Sequence, residues 1–428
     1  MQYNSQRMAA RQIDSNSTFS VVPETEKERP RRRINMKKLI SIMLSICLML
    51  TLGSSVCVAE KPSTIYSELA KDYMDFEGKI GIMVGTVATS EEEYRTAELW
   101  QETFGSDKVT IQNYPVNFMK EQETTISNML SLISDPEIKA VVFCQGVPGC
   151  TAAIEKAKEK RPDILYINGA PNEDPPVTTP VADVLIDVDW IQKPITMADR
   201  AKEMGAETLV LYSFPRMQSY AKNAFSVAAV EKRCKELGIK YVYAVIPDPQ
   251  SDAGQAGTQQ YCIEDVPKKL EEYGPNTAFW DINLFSSVAV IKALLDAGEG
   301  IYMDSSQSSP FLGYPEAFGV EIPADKKGNA AWLIEQLRNI SKNHGATGRF
   351  SVRAEPIMPN VLSVGVMYSA RYLQNKTAGK FDKEVLMQCY ADLTKLPIDE
   401  ISFSMYDNPE NGEKYDNYCM ILAPWAML

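Results

Sequence analysis

Short runs of consecutive apolar residues alternate along this chain with stretches whose apolar residues recur every three or four positions. Lys79-Ile80-Gly81-Ile82-Met83-Val84-Gly85 is the first run. Val109–Tyr114, Ala140–Cys144 and Ile164–Asn168 follow it. Between them lie the helix-period segments Glu91–Phe104, Glu121–Ser134 and Thr151–Lys160. Ser90, three residues before Glu93, reads as a capping box for the first of these. Strands that are apolar on both faces and alternate with helices predict a parallel sheet covered on both sides.

The second half repeats the layout. Leu209–Phe214, Lys240–Ile246, Thr277–Ile282 and Gly300–Asp304 read as strands, and Ser219–Leu237, Glu264–Tyr273 and Ser286–Ala297 as helices. The two halves join near Val184–Pro194. The expected fold class is therefore α/β, with two doubly wound, Rossmann-like lobes. Beyond them, a helix at Asn329–Asn343 is followed by a second at Pro359–Leu373. Glu60–Tyr73 reads as a polar connector. The tail Tyr406–Leu428 reads as irregular apart from the apolar run Met420–Leu422.

The N-terminus has a different character. Residues 1–35 are polar, end in Glu28-Arg29-Pro30-Arg31-Arg32-Arg33, and read as a disordered or over-extended start. Residues 36–59 carry Lys37-Lys38, a short apolar run and a small-residue end, which is the layout of a signal peptide. Cleavage after Ala59 is the simplest reading. Cys57 is the candidate for lipidation, disfavoured because Val56 stands where a small residue is wanted. The expected location of the rest is exported, either at the extracytoplasmic face of the membrane or secreted.

That leader changes the charge. The chain carries −12 overall, but residues 1–59 are net positive, so the remainder stands near −17. So acidic a body argues against a nucleic-acid partner, which needs a basic footprint. About 370 residues suffice for two separate cores. Cys144, Cys150, Cys234, Cys262, Cys389 and Cys419 allow 15 pairings. A local Cys144–Cys150 bridge and six buried free thiols are both open. No Cys-x-x-Cys supports a zinc site, and neither a metal nor a cofactor is expected.

In open parallel sheets, ligands bind beyond the carboxyl ends of the strands. In the first half this rule selects Thr86, Thr89 and Ser90, then Gln145 and Asn168. In the second half it selects Phe214, Arg216, Asp248, Asp281, Asn283, Asp304 and Ser305. These hydroxyls, amides, carboxylates and aromatics can hydrogen-bond a small polar ligand and stack on its apolar face. Each also has a plainer role. Asp281 and Asp304 can cap helices, and Phe214, Trp190 and Trp280 can be core. Arg216 suits a carboxylate or phosphate, or an internal ion pair. Enzyme motifs are sparse. The one histidine, His344, sits at a predicted helix C-terminus, and no Gly-x-Ser-x-Gly or His-Glu-x-x-His occurs.

Late in the chain, Arg353-Ala354-Glu355-Pro356, the following helix and Asn375-Lys376 are similar to the return strand and helix of type I periplasmic solute-binding proteins. The order of elements over 76–400 resembles that superfamily, and within it an uncharacterised exported family of Gram-positive bacteria. The resemblance implies two lobes joined by a multi-strand hinge. The first lobe would comprise 60–190 plus about 355–400, the second 191–354, and residues 401–428 would form a tail returning over the hinge. It also implies that the strand-end residues, the hinge residues Asp187 and Asp189, and Glu355 face the cleft; Trp190, beside Asp189, is a further ligand-binding candidate. A monomer that captures a small polar ligand and delivers it to an ABC permease is the leading expectation. An exported carboxylate-based hydrolase and a ligand sensor for a membrane receptor are the alternatives. The insertion around 311–327 and the aromatic tail depart from the family pattern.

Overall fold

The computed structural model describes residues 65–305, 307–408 and 411–428. The leader, with its signal-peptide segment and Cys57, lies outside the described residues.

The first six strands are β1 (Lys79–Val84), β2 (Val109–Asn113), β3 (Ile138–Cys144), β4 (Leu165–Gly169), β5 (Val184–Val188) and β6 (Thr208–Ser213). All but β5, which falls at the expected join, follow the predicted apolar runs closely. The chain continues through β7 (Lys240–Val245), β8 (Thr277–Asp281), β9 (Ile301–Tyr302), β10 (Ser351–Arg353), β11 (Ser402–Asp407), β12 (Lys414–Leu422) and β13 (Trp425–Met427). A seven-stranded sheet has the order β11-β12-β5-β4-β3-β1-β2, and a four-stranded sheet the order β7-β6-β8-β9. All pairings are parallel except β11 with β12 in the first sheet. The architecture is the two-lobed α/β fold that the periodicity predicts.

Parallel strands need cover on both faces, and both faces of β3 and β4 show it. Val142, Leu165 and Ile167 pack into one core with the helix Ile357–Leu373. Val141, Phe143 and Tyr166, which point the other way, join a second core with Met129 and Ile154. The helix Ile357–Leu373 is buried without interruption from Pro359 to Ala370. Gly365 lets it lie against β3, since a Cβ there would come within 2.7 Å of Val142 Cγ1.

The structure corrects several expectations. Ile65–Tyr73 is a helix within the supposed connector, and buries Tyr66, Leu69, Ala70 and Tyr73. Those residues recur at helical spacing, masked in sequence by the charges between them. Helices Gln192–Glu203 and Lys383–Thr394 were not foreseen. The strand expected at Gly300–Asp304 is only Ile301–Tyr302. The tail is not irregular. β12 pairs in parallel with β5, Tyr418 opposite Leu185 and Ile421 opposite Val188. β13 then pairs with β10, antiparallel, beside the second sheet. The chain therefore passes between the sheets three times, after β5, after β10 and after β12.

The 311–327 segment sends Tyr314 and Phe318 into the core against the four-stranded sheet, with Tyr212, Phe279 and Tyr302. All six described cysteines are free and buried, so Cys144 and Cys150 are not bridged. No described helix is long and apolar enough to cross a membrane.

Candidate functional site

The carboxyl ends of the two sheets face each other. Bonds cross between them at two places. Ser309 Oγ, in the loop after β9, donates to Glu92 Oε1 at 2.8 Å, in the first turn of the helix Glu91–Phe104. Lys222 Nζ, in the helix Ala221–Leu237, donates to Asp187 Oδ2 at the end of β5 (2.5 Å), to the Pro171 carbonyl (2.6 Å) and to Tyr418 Oη (3.1 Å).

On the first lobe, the turn after β1 closes with Ser90 N–H donating to the Thr86 carbonyl at 2.9 Å. Gly85 is required there, because a Cβ would come within 2.5 Å of Ser90 Oγ. The predicted capping box does not form. Ser90 makes no side-chain cap and instead meets Tyr114 Oη at 3.2 Å. Glu93 turns away to accept from Gln145 Nε2 at 2.9 Å. Thr86 Oγ1 is buried without a partner, whereas Thr89 is exposed. Asn168 is fully buried and donates to Thr178 Oγ1 at 2.8 Å. Its Oδ1 has no partner.

At the crossing after β5, Asp189 accepts from Gln192 N–H and from Ser404 Oγ. Burial holds its carboxyl above the ordinary range. Trp190 packs edge-on against Phe225, with Lys222 over its face. Trp190 and Asp189 therefore join the two lobes.

On the second lobe, several predicted residues serve the lobe itself. Phe214 is core. Arg216 forms a two-pronged ion pair with Asp248, at 2.8 and 2.9 Å. Asp281 is fully buried and accepts from Ser287 Oγ and Tyr302 Oη, and burial raises it to about 7. Asn283 caps the next helix by accepting from Phe285 N–H. Ser305 closes its own loop with Ser309. Asp304 is fully buried. It accepts from Ser308 Oγ, with Lys193 and Arg353 near enough to oppose the upward push of burial.

Arg353 ties the three crossings together. It donates to the Ala423 carbonyl and to Thr196 Oγ1 and stacks 3.6 Å from the centre of the Trp425 ring. Glu355 follows on the same crossing beside Asn360, and burial raises its carboxyl to about 7.

Glu92, Glu93, Lys222 and Ser309 were missed from sequence. The signal was present in Glu91-Glu92-Glu93, a triple acid just beyond a strand end. It reads equally as the ordinary acidic first turn of a helix. Burial, with Glu93 alongside, pushes Glu92 up to about 8. Among the described residues no group of acidic, cysteine or histidine side chains could hold a metal ion. His344 lies at the end of the helix Ala330–Asn343 and lines an open hollow of 310 Å³ with Lys292 and Glu316.

The profile of a family described as "Protein of unknown function (DUF3798)" matches residues 78–351. An uncharacterized protein of Treponema pallidum (strain Nichols) is 31% identical over 192 residues, spanning 45% of this chain and 87% of the relative. A crystal structure from Clostridium difficile 630, provisionally named a transcriptional regulator, superposes with a TM-score of 0.70. It is 20% identical, and the match covers 82% of this chain and all of that one. A periplasmic solute-binding protein of an ABC transporter, from Actinobacillus succinogenes 130z with bound D-allose, is 10% identical. Its TM-score is 0.47, over 73% of this chain and all of that one. The Clostridium likeness is one of fold, and the Actinobacillus likeness is too remote to argue from.

Proposed function

This chain belongs to DUF3798, a family of unknown function, and we propose that it is an extracytoplasmic solute-binding protein. It takes a small polar ligand between its lobes and hands it to an ABC permease. One observation carries the reading: the carboxyl ends of two parallel sheets oppose each other, and hydrogen bonds from both lobes meet there. That is where α/β sheets bind ligands, and three chain crossings make a hinge about which lobes can close. The described side chains at the junction are carboxylates, hydroxyls and amides with the Lys222 ammonium and the Trp190 indole, and the chain's one histidine, His344, which a hydrolase of the Ser-His type would need as base, lies at the end of the helix Ala330–Asn343 instead. Thr86, Gln145, Asn168, Asp189, Trp190 and Glu355 are the ligand-facing candidates. Residues 36–59 act as the export signal in this reading.

The test is a thermal-shift screen of sugars, nucleosides and amino acids on the purified protein. The reading expects a compound that raises the melting temperature and is recovered intact. Turnover of that compound would refute it.

A further inference from the structure

Lys222 reaches across the junction into groups that all belong to the first sheet and its crossings. Its ammonium donates to Asp187 Oδ2 at 2.5 Å, to the Pro171 carbonyl at 2.6 Å and to Tyr418 Oη at 3.1 Å. That uses all three of its N–H groups. The rings of Trp190 and Tyr418 flank it, each with its centre 5.8 Å from Nζ, within reach of a cation–π attraction. The walls are fixed by bonds of their own. Asp187 also accepts from Tyr418 Oη at 2.6 Å and from Val188 N–H at 2.9 Å, and Asp187, Pro171, Trp190 and Tyr418 are all buried. A carboxylate, a carbonyl, a phenol and two aromatic faces around one nitrogen form a built ammonium site, and it lies at the carboxyl ends of β4 and β5, where such sheets bind ligands.

The occupant is held less firmly than the walls. No residue from Pro215 to Ala229 is buried, and the helix Ala221–Leu237 buries only Val230 and Cys234, both well beyond Lys222. A stretch with so little burial opens at low cost. A second feature marks the same place. Asn168 Oδ1 belongs to a fully buried side chain and has no donor. It lies beside Pro171: a Cβ at Gly146 would come within 2.1 Å of Asn168 Oδ1 and 2.9 Å of Pro171 Cα. A buried acceptor left unpaired carries a desolvation cost, and Lys222 has no N–H left to meet it.

We infer that these walls are the subsite for a primary ammonium group of the solute, and that Lys222 fills it as a tethered stand-in until a ligand amine displaces it. The inference rests on the solute-binding reading above and names the ligand class of that same cleft. Three acceptors around one nitrogen select a primary amine over a quaternary one, which has no N–H to give. A neutral hydroxyl is the poorer occupant, because displacing Lys222 with it would strand the buried Asp187 carboxylate. A second donor on the ligand, hydroxyl or N–H, serves Asn168 Oδ1, which Lys222 leaves unmet.

The experiment is isothermal titration calorimetry of the full chain with glucosamine, ethanolamine and tyramine, each against its N-acetyl derivative. The expected result is binding of at least one amine to the wild-type protein, with its N-acetyl form weaker by about a hundredfold or more. Lys222→Ala should tighten that amine by about tenfold or more, since the bonds of Lys222 exist only in the empty protein and are lost on binding. Asp187→Asn, added to Lys222→Ala, should abolish it. Lys232→Ala, at an exposed position of the same helix, should leave it unchanged. The comparison of each amine with its N-acetyl form needs no variant, so a misfolded mutant does not remove the test. Failure of all three amines to bind the wild type, equal binding of the N-acetyl form, or unchanged or weaker binding by a folded Lys222→Ala protein overturns the inference. If glucose or a nucleoside binds instead, the amine subsite falls and the solute-binding reading stands. If a bound amine is consumed, the subsite stands and that reading falls.

Discussion

Replacing Lys222 with Met removes an ammonium that reaches across the lobes to three acceptors. Asp187 is only 3% exposed, and its carboxylate would lose its only ion-pair partner among the described residues. Breaking a buried pair from one side costs about 3–5 kcal/mol. Asp187 keeps bonds from Tyr418 Oη at 2.6 Å and Val188 N–H at 2.9 Å, so about 2–3 kcal/mol is expected. For lobes of this size that corresponds to a melting temperature lower by about 4–12 °C. Urea unfolding followed by circular dichroism measures the loss. Small-angle scattering should show a larger radius of gyration, because the lost bonds join the two lobes. Adding Asp187→Asn should restore much of the stability, since the stranded charge is then gone. A single variant within about 0.5 kcal/mol of wild type would refute the latch, and so would a double variant whose losses simply add.

Other outcomes follow from the same geometry. Glu92 holds a proton in the folded protein up to about 8 but, unfolded, only up to its ordinary 4.5. The stability it contributes is present below 4.5 and is lost as pH rises through 8. The ceiling is roughly 5 kcal/mol, which residual solvent contact reduces to about 2. The ligand-free melting temperature should fall between pH 5 and 8.5, and Glu92→Gln should flatten that slope; an unchanged slope would count against the assignment. Asp304→Ala should cost about 3 kcal/mol in urea unfolding, by stranding the buried cations Lys193 and Arg353 beside it. Arg216→Ala breaks a more exposed pair and should cost about 1 kcal/mol or less; equal losses would contradict this contrast. Gly365→Ala should destabilise by about 1–3 kcal/mol through the clash with Val142, and a calorimetric melting temperature equal to wild type would show that the helix can move away.

The strand-end rule picks loops at the junction of the lobes, but several of the side chains it picks are occupied within one lobe. Gln145 lies beside Glu93, and Asp189 lies at a crossing, as the resemblance implied, with Trp190 next to it. Arg216, Asp248, Asp281 and Asn283 are committed to partners within the second lobe instead. Loop position is written in local pattern, whereas the direction a side chain takes depends on partners such as Tyr302 and Ser287, which sequence spacing does not bring near Asp281. Glu92 and Lys222 were hidden for a related reason. Both sit on helices just past the loops and look like ordinary charged surface until the opposite lobe covers them.

The sequence by itself determined the two parallel sheets. A strand buried on both faces must be apolar at every position, and a covering helix must repeat its apolar residues every three or four. Those constraints are local and survive in one dimension. The role of the tail was decided only in three dimensions. β12 begins Lys414-Tyr415-Asp416-Asn417, polar enough to pass for a loop, and becomes an inner strand because β5, more than 220 residues earlier, offers it a parallel edge. Pairing over that separation leaves no periodic trace. The junction is settled in the same way: Glu92 meets Ser309, and Lys222 meets Asp187, only when the chain has crossed between the sheets.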